Sequence, residues 1–345
     1  MPIELRRRRA LRLAWGVALC LAASFGLGLP VPVLAPIFAL LLLALRSQPL
    51  PLRLAPALAL LVLFSAGSGL LLIPLLVYAP ASGVLLVALG LFLCFRYALR
   101  GGNGLLANFL VIGLSMVSAA GASDYGLALA VVEAMAKGML LAALGVSLAH
   151  ALFPEPPGAP AQPPAPLPPF ADSARIALRA TLIVMPAFLL ALIAPDQFMP
   201  LVLKAVSLGQ QSCETSARRA GRELIGSTLL AGVLAIVLWN ALSLFPDLWM
   251  FFLWVLLFAL LQARRLYAAV ATRQGPGFWV GCLSTMLILL GQSVQDSASG
   301  QDVQRAFAVR MALFLLVSLY AWAMIFWLER RVSRRPRPGP VARTS

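Results

Sequence analysis

Four ionisable positions stand inside long apolar stretches, where their type and spacing can do chemistry. Lys204 lies in Pro200-Leu-Val-Leu-Lys204-Ala, four residues beyond a proline, or ~6 Å along a helix. No acid neighbours it in that stretch. Glu133 and Lys137 are spaced i, i+4, which puts them on one helix face, where they can pair. Arg310 sits in Val309-Arg310-Met311. An ionisable group at a bilayer centre costs ~2.5–3.5 kcal/mol or more and marks a functional position. The chemistry is attraction of an anion by Lys204, Lys137 and Arg310, with Glu133 as a proton-coupling carboxylate. Blander readings are a snorkelling Lys204 and a Glu133–Lys137 pair that only fixes helix packing.

This reasoning requires the apolar stretches to be membrane spans, and composition supports that. The chain has 345 residues, 61% of them hydrophobic and 11% charged. A soluble domain carries about 25% charged residues, so this one cannot cover a soluble globule. Lipid must replace water around most side chains. The formal charge of +15 could suggest nucleic acid, but the arginines sit in short clusters between apolar runs. That is the positive-inside pattern of a multi-pass protein.

A bilayer-crossing helix needs ~20 apolar residues. Spans are expected near residues 11–29, 33–45, 55–78, 82–99, 105–121 and 127–151, then near 175–194, 198–212, 224–244, 247–263, 276–292 and 304–328. Between the sets lies Pro154–Pro169, with nine prolines in sixteen residues, which reads as an extended linker. The fold expected is all-α and integral to the membrane, with about twelve transmembrane helices. Its domains are a first six-helix repeat (1–151), a proline-rich cytoplasmic linker (152–172), a second six-helix repeat (173–330) and a basic cytoplasmic tail (331–345). With Arg6–Arg9 inside, nearly all arginines fall on one side. Asp124, Asp196, Asp247, Asp296 and Asp302 fall in the loops on the other. Both termini are then cytoplasmic, in a bacterial inner membrane.

The two halves align. Leu11-Arg12-Leu13-Ala14 matches Leu178-Arg179-Ala180-Thr181, and the second span of each half opens with a proline, Pro36 and Pro200. These prolines are candidate helix breaks. Lys137 aligns with Arg310. An even number of spans per half makes the repeat parallel, about an axis along the membrane normal, as in some transporters.

The Leu-Arg opening, the Gly28-Leu29-Pro30 turn, the proline-led second helix and the two six-span halves resemble the fusaric acid resistance and aromatic acid exporter superfamily. The likeness extends over roughly residues 8–330. It implies an inner-membrane exporter of small aromatic carboxylates, often working with a periplasmic membrane-fusion (adaptor) protein. Plant relatives are anion channels. The large cytoplasmic domain of the bigger bacterial exporters is missing between these halves.

No GxxxxGK[ST] motif occurs, so ATP is not bound by a P-loop. The four cysteines form no CxxC pair, so neither a metal site nor a redox pair is expected. No nucleophile or base constellation points to an enzyme. His150, five residues before Glu155, reads as a surface histidine. Neither a cofactor nor nucleic acid is expected, and the partners are lipid, an organic anion and an adaptor. The function expected is proton-driven export of a small organic anion. The alternatives are a passive anion channel and a non-transporting membrane component of an envelope assembly.

Overall fold

A computed structural model describes residues 3–45, 50–155, 170–214 and 220–333. The segment 156–169, most of the expected linker, lies outside the described residues. So do Arg218, Arg219 and the tail from 334 on.

Among the described residues the chain is helical with no strand. The helices are α1 (Ile3–Gly26), α2 (Leu34–Leu45), α3 (Ala55–Leu70), α4 (Ile73–Tyr78), α5 (Pro80–Leu99), α6 (Gly104–Ile112), α7 (Ser118–Ser123) and α8 (Tyr125–Leu152). After the linker come α9 (Phe170–Ile193), α10 (Pro195–Glu214), α11 (Gly226–Leu244), α12 (Leu248–Leu266), α13 (Pro276–Ala298) and α14 (Val303–Ser333). A π-turn over Gly113–Val117 joins α6 to α7, and another over Gly221–Ile225 leads into α11. The protein is an all-α, multi-pass membrane protein.

Helix ends follow from local chemistry. The side-chain oxygen of Asn103 accepts from the amides of Leu105 and Leu106 at the start of α6. Asp124 does the same for Gly126 at α8, and Asp302 for Gln304 and Arg305 at α14. Each satisfies an orphan N–H and sets a negative charge against the positive end of the helix dipole. Two of the expected loop aspartates, Asp124 and Asp302, are therefore caps. At the end of α1, Gly28 adopts φ +62°. Its amide bonds Phe25 O and that of Leu29 bonds Ser24 O, a Schellman closure that glycine makes at no steric cost.

Among the described residues, ten helical stretches are long and apolar enough to cross a membrane. Neither α2 nor α10 is among them. At twelve residues, α2 is ~18 Å long, well short of the ~30 Å hydrocarbon core. The twenty residues of α10 suffice in length but include Lys204, Gln210 and Gln211. These two helices are instead the protein's interior, with α2 buried along nearly its whole length and α10 along most of it.

Their early ends must be sealed, because a carbonyl left unpaired in lipid costs several kcal/mol. The Tyr267 hydroxyl donates to Leu43 O in the last turn of α2, at 3.2 Å. Arg179 donates to Ser212 O in the last turn of α10. Polar side chains from elsewhere in the chain thus let α2 and α10 end inside the bundle.

Around them, α2 packs on α1 and α8, and α10 packs on α9 and α14. Helix α1 lies along α12, with Phe25 edge-on to Phe251 at 5.5 Å, and α5 lies along α9. Helix α3 meets the Gly113–Val117 turn backbone to backbone. A Cβ on Gly69 would sit 2.5 Å from Gly113 O, and one on Gly113 would sit 2.6 Å from Ser65 O. Small residues permit this approach, the usual basis of helix association in lipid.

Candidate anion site

The site begins with one turn of α10. Lys204, Ser207 and Gln211 recur at i, i+3 and i+7, one helix face, and that face meets α13. Lys204 is fully buried, about nine residues (~14 Å) in from Pro195. Its Nζ donates to Thr285 Oγ1 at 2.7 Å. Thr285, nine residues in from Pro276 at the opposite end of α13, spends its own proton on Gly281 O at 2.6 Å. Its lone pairs are thereby turned toward the ammonium. Gln211 donates to Ser207 Oγ at 3.1 Å and lies on Gly281, where a Cβ would be 2.6 Å from its amide nitrogen. Ser284 also donates to Gly281 O. A narrow polar seam therefore runs between two buried helices in mid-bundle.

Lys204 has no carboxylate partner among the described residues. An ammonium brings three donors, and one hydroxyl does not balance its charge. A buried charge is normally paired. This arrangement can take up one carboxylate, in place of or beside Thr285. No group of His, Cys, Asp and Glu that could hold a metal ion occurs among the described residues.

The other expected site residues lie elsewhere. Glu133 and Lys137 do pair with each other, but their side chains are more than half exposed. They stand in the outward stripe of α8 with Leu129, Leu140, Leu144 and Leu148. Arg310 is paired with Asp296 through two hydrogen bonds, one from Nη2 to Oδ1 at 2.8 Å. Asp296 lies in the last turn of α13 and is buried. It is not in a loop, because the helix runs past the expected end at 292. Lys204, Lys137 and Arg310 thus face different surroundings and do not converge.

Neither proline breaks its helix. Pro36 lies in the first turn of α2, where its missing N–H would have no partner. Helix α10 starts at Pro195 and continues through Pro200. His150 is buried, with Nδ1 2.9 Å from Val146 O, and is not a surface residue.

A second polar cluster was hidden in what read as topology-setting arginines. Arg9 and Arg12 are each 2% exposed. Arg9 grips Glu155 with Nε at 2.7 Å and Nη2 at 3.2 Å, and Arg12 adds Nη2 at 2.9 Å. Burial pushes the Glu155 carboxyl up, but the hydrogen bonds and charges of Arg9 and Arg12 outweigh it and hold it below the usual value. Tyr267 shares this neighbourhood, and its own burial pushes its hydroxyl up to about 12. The available signal was the i, i+3 spacing of Arg9 and Arg12, together with the match of Arg12 to Arg179, which is also buried.

Residues 9–149 match the model of a family described as "Protein of unknown function (DUF2955)". The matched segment starts within α1 and ends within α8. Comparison with curated proteins and with solved structures gives no match.

Proposed function

We propose that this protein is a secondary transporter that exports small organic anions, probed most simply with aromatic carboxylates. The observation that carries the reading is Lys204, a fully buried cation in mid-bundle whose one partner among the described residues is the neutral Thr285 hydroxyl. Such a charge is costly unless an anion answers it, and a transported carboxylate is an anion that comes and goes.

The two halves form a parallel six-plus-six repeat of twelve spans, with both termini cytoplasmic in a bacterial inner membrane. Packing supports the repeat, because it is reciprocal. The first span of each half lies against the fourth span of the other, as α1 with α12 and α5 with α9. The second span of each half touches the fifth of the other, as α2 with α13 and α10 with α6 and α7. The match over 9–149 supports a unit ending with the sixth span. With Pro36 set against Pro200, Leu40 falls opposite Lys204, so one half carries the cation and the other an apolar residue. Export proceeds by alternating access, in which the seam between α10 and α13 opens to either side and a carboxylate replaces the Thr285 hydroxyl on Lys204. The periplasmic adaptor follows from the superfamily resemblance, and proton coupling rests on Glu133, the carboxylate paired with Lys137 on α8.

The test is uptake of radiolabelled 4-hydroxybenzoate into proteoliposomes under an imposed pH gradient. Gradient-dependent flux that is lost in Lys204→Gln supports the exporter. Flux that ignores the gradient while conductance appears supports a channel. An unaltered rate in Lys204→Gln refutes the site. Glu133→Gln is measured in parallel, because Glu133 faces outward on α8.

A further inference from the structure

We propose that Arg9 and Arg12 form a second carboxylate site, at the arginine-rich mouth of the bundle, and that Glu155 fills it as a tethered carboxylate which an incoming organic carboxylate displaces. The proposal rests on reading the chain as an organic-anion transporter and adds to it a regulated entry site.

The geometry is that of a carboxylate receptor already holding a carboxylate. Two guanidinium groups on one face of α1 converge on the same Glu155 oxygen, and Arg9 also takes the second oxygen. Guanidinium forks match carboxylates in shape as well as charge. Both arginines are 2% exposed, whereas the Glu155 side chain is 14% exposed and lies over them as a cover. Among the described residues, two cations here face one anion. Among the described residues Arg12 donates one hydrogen bond out of five N–H groups, so donors remain for another carboxylate.

Glu155 is also built to leave. It sits two residues beyond the last helical bond of α8, from the Phe153 amide to Ala149 O, and the carbonyl of its neighbour Pro154 receives a long contact of 3.4 Å from Arg8. Withdrawing it unwinds nothing. The cluster reaches the interior through Tyr267, whose hydroxyl feels the charges of both arginines and Glu155 and bonds the last turn of α2. Exchange of the carboxylate is thereby felt at one of the two short central helices. The matching position in the second half cannot do this, since Arg179 is engaged with the backbone at Ser212.

The experiment is calorimetric titration of the purified full-length protein with benzoate, with benzyl alcohol as the uncharged control. In Glu155→Gln benzoate should bind at least tenfold more tightly than in wild type, in both the Lys204 and the Lys204→Gln backgrounds. Adding Arg12→Gln should reverse the gain. An affinity unchanged within twofold in a Glu155→Gln protein that elutes as one species overturns the proposal. Tight binding at Arg9 and Arg12 without any flux sinks the transport reading alone. Lys204-dependent flux with no effect of Glu155→Gln sinks this site alone.

Discussion

Lys204 carries the functional argument, and its energetics make an unusual prediction. A residue kept for packing should lose stability when changed. A buried cation without a counter-charge should do the opposite, because replacing buried charges by apolar groups of similar volume is often neutral or stabilising by 1–4 kcal/mol. Lys204→Met should therefore raise the thermal midpoint of the purified protein, or leave it unchanged, while removing anion flux. A large fall in the midpoint would mark Lys204 as structural. Thr285→Val should cost about 1–3 kcal/mol, since it strips the ammonium of its one hydrogen-bond acceptor, and the same melting experiment checks it. Lys204 was legible in the sequence because a cation in an apolar run is visible without a fold. Its partner was not, because Thr285 lies 81 residues away and threonines are common in apolar helices. Arg9 and Arg12 were legible as charges but not as a buried pair. Their clustering at the N-terminus satisfies the positive-inside rule equally well when they face water.

Glu155 closes the arginine-rich end of the bundle, and that closure has a definite pH dependence. The folded-state value of its carboxyl lies below the ordinary one. Its contribution to stability is then complete above the ordinary glutamate range, about 4.3, and is lost as pH falls through the lower folded value. The midpoint advantage of wild type over Glu155→Gln should be full at about pH 6 and shrink below about pH 4. An advantage independent of pH would contradict the ion pair. Close helix contact is the other device at this scale. Gly69→Ala would drive a Cβ to 2.5 Å from a backbone oxygen, whereas a Cβ on Gly67 meets nothing within 4 Å. Overpacking of this kind costs about 1–3 kcal/mol. Gly69→Ala should melt lower than wild type and Gly67→Ala should not, and equal melting would refute the α3 contact. Hydrophobic runs marked each of these regions, but read α3 with α4, and α6 with α7, as single helices. Their ends were less legible, because a span ends where capping and packing allow. The expected end of α13 at 292 missed Asp296, which remains helical because Arg310 neutralises it inside the bundle.

At the scale of the whole molecule, the bundle surrounds two helices too short or too polar to face lipid on their own. The sequence flagged both as brief, proline-led segments at matching positions, but started α10 at 198 and took the prolines for helix breaks. Contacts between the halves were beyond its reach, since no periodicity within a helix tells which distant helix it will meet. The pairing of α1 with α12 can be tested directly. With the native cysteines replaced, Phe25→Cys and Phe251→Cys should be joined rapidly by a short thiol-reactive cross-linker, and no cross-linking would break the proposed reciprocal arrangement. The central claim is that this bundle moves organic anions past Lys204. Losing one partner of a buried charge pair costs about 2–5 kcal/mol, roughly thirtyfold or more in rate or affinity. The decisive measurement is the initial rate of 4-hydroxybenzoate flux in proteoliposomes for wild type, Lys204→Arg and Lys204→Met, each shown to be folded. The account predicts measurable flux in wild type, partial retention with arginine and a loss of that size with methionine. Equal rates in wild type and the methionine variant would contradict it.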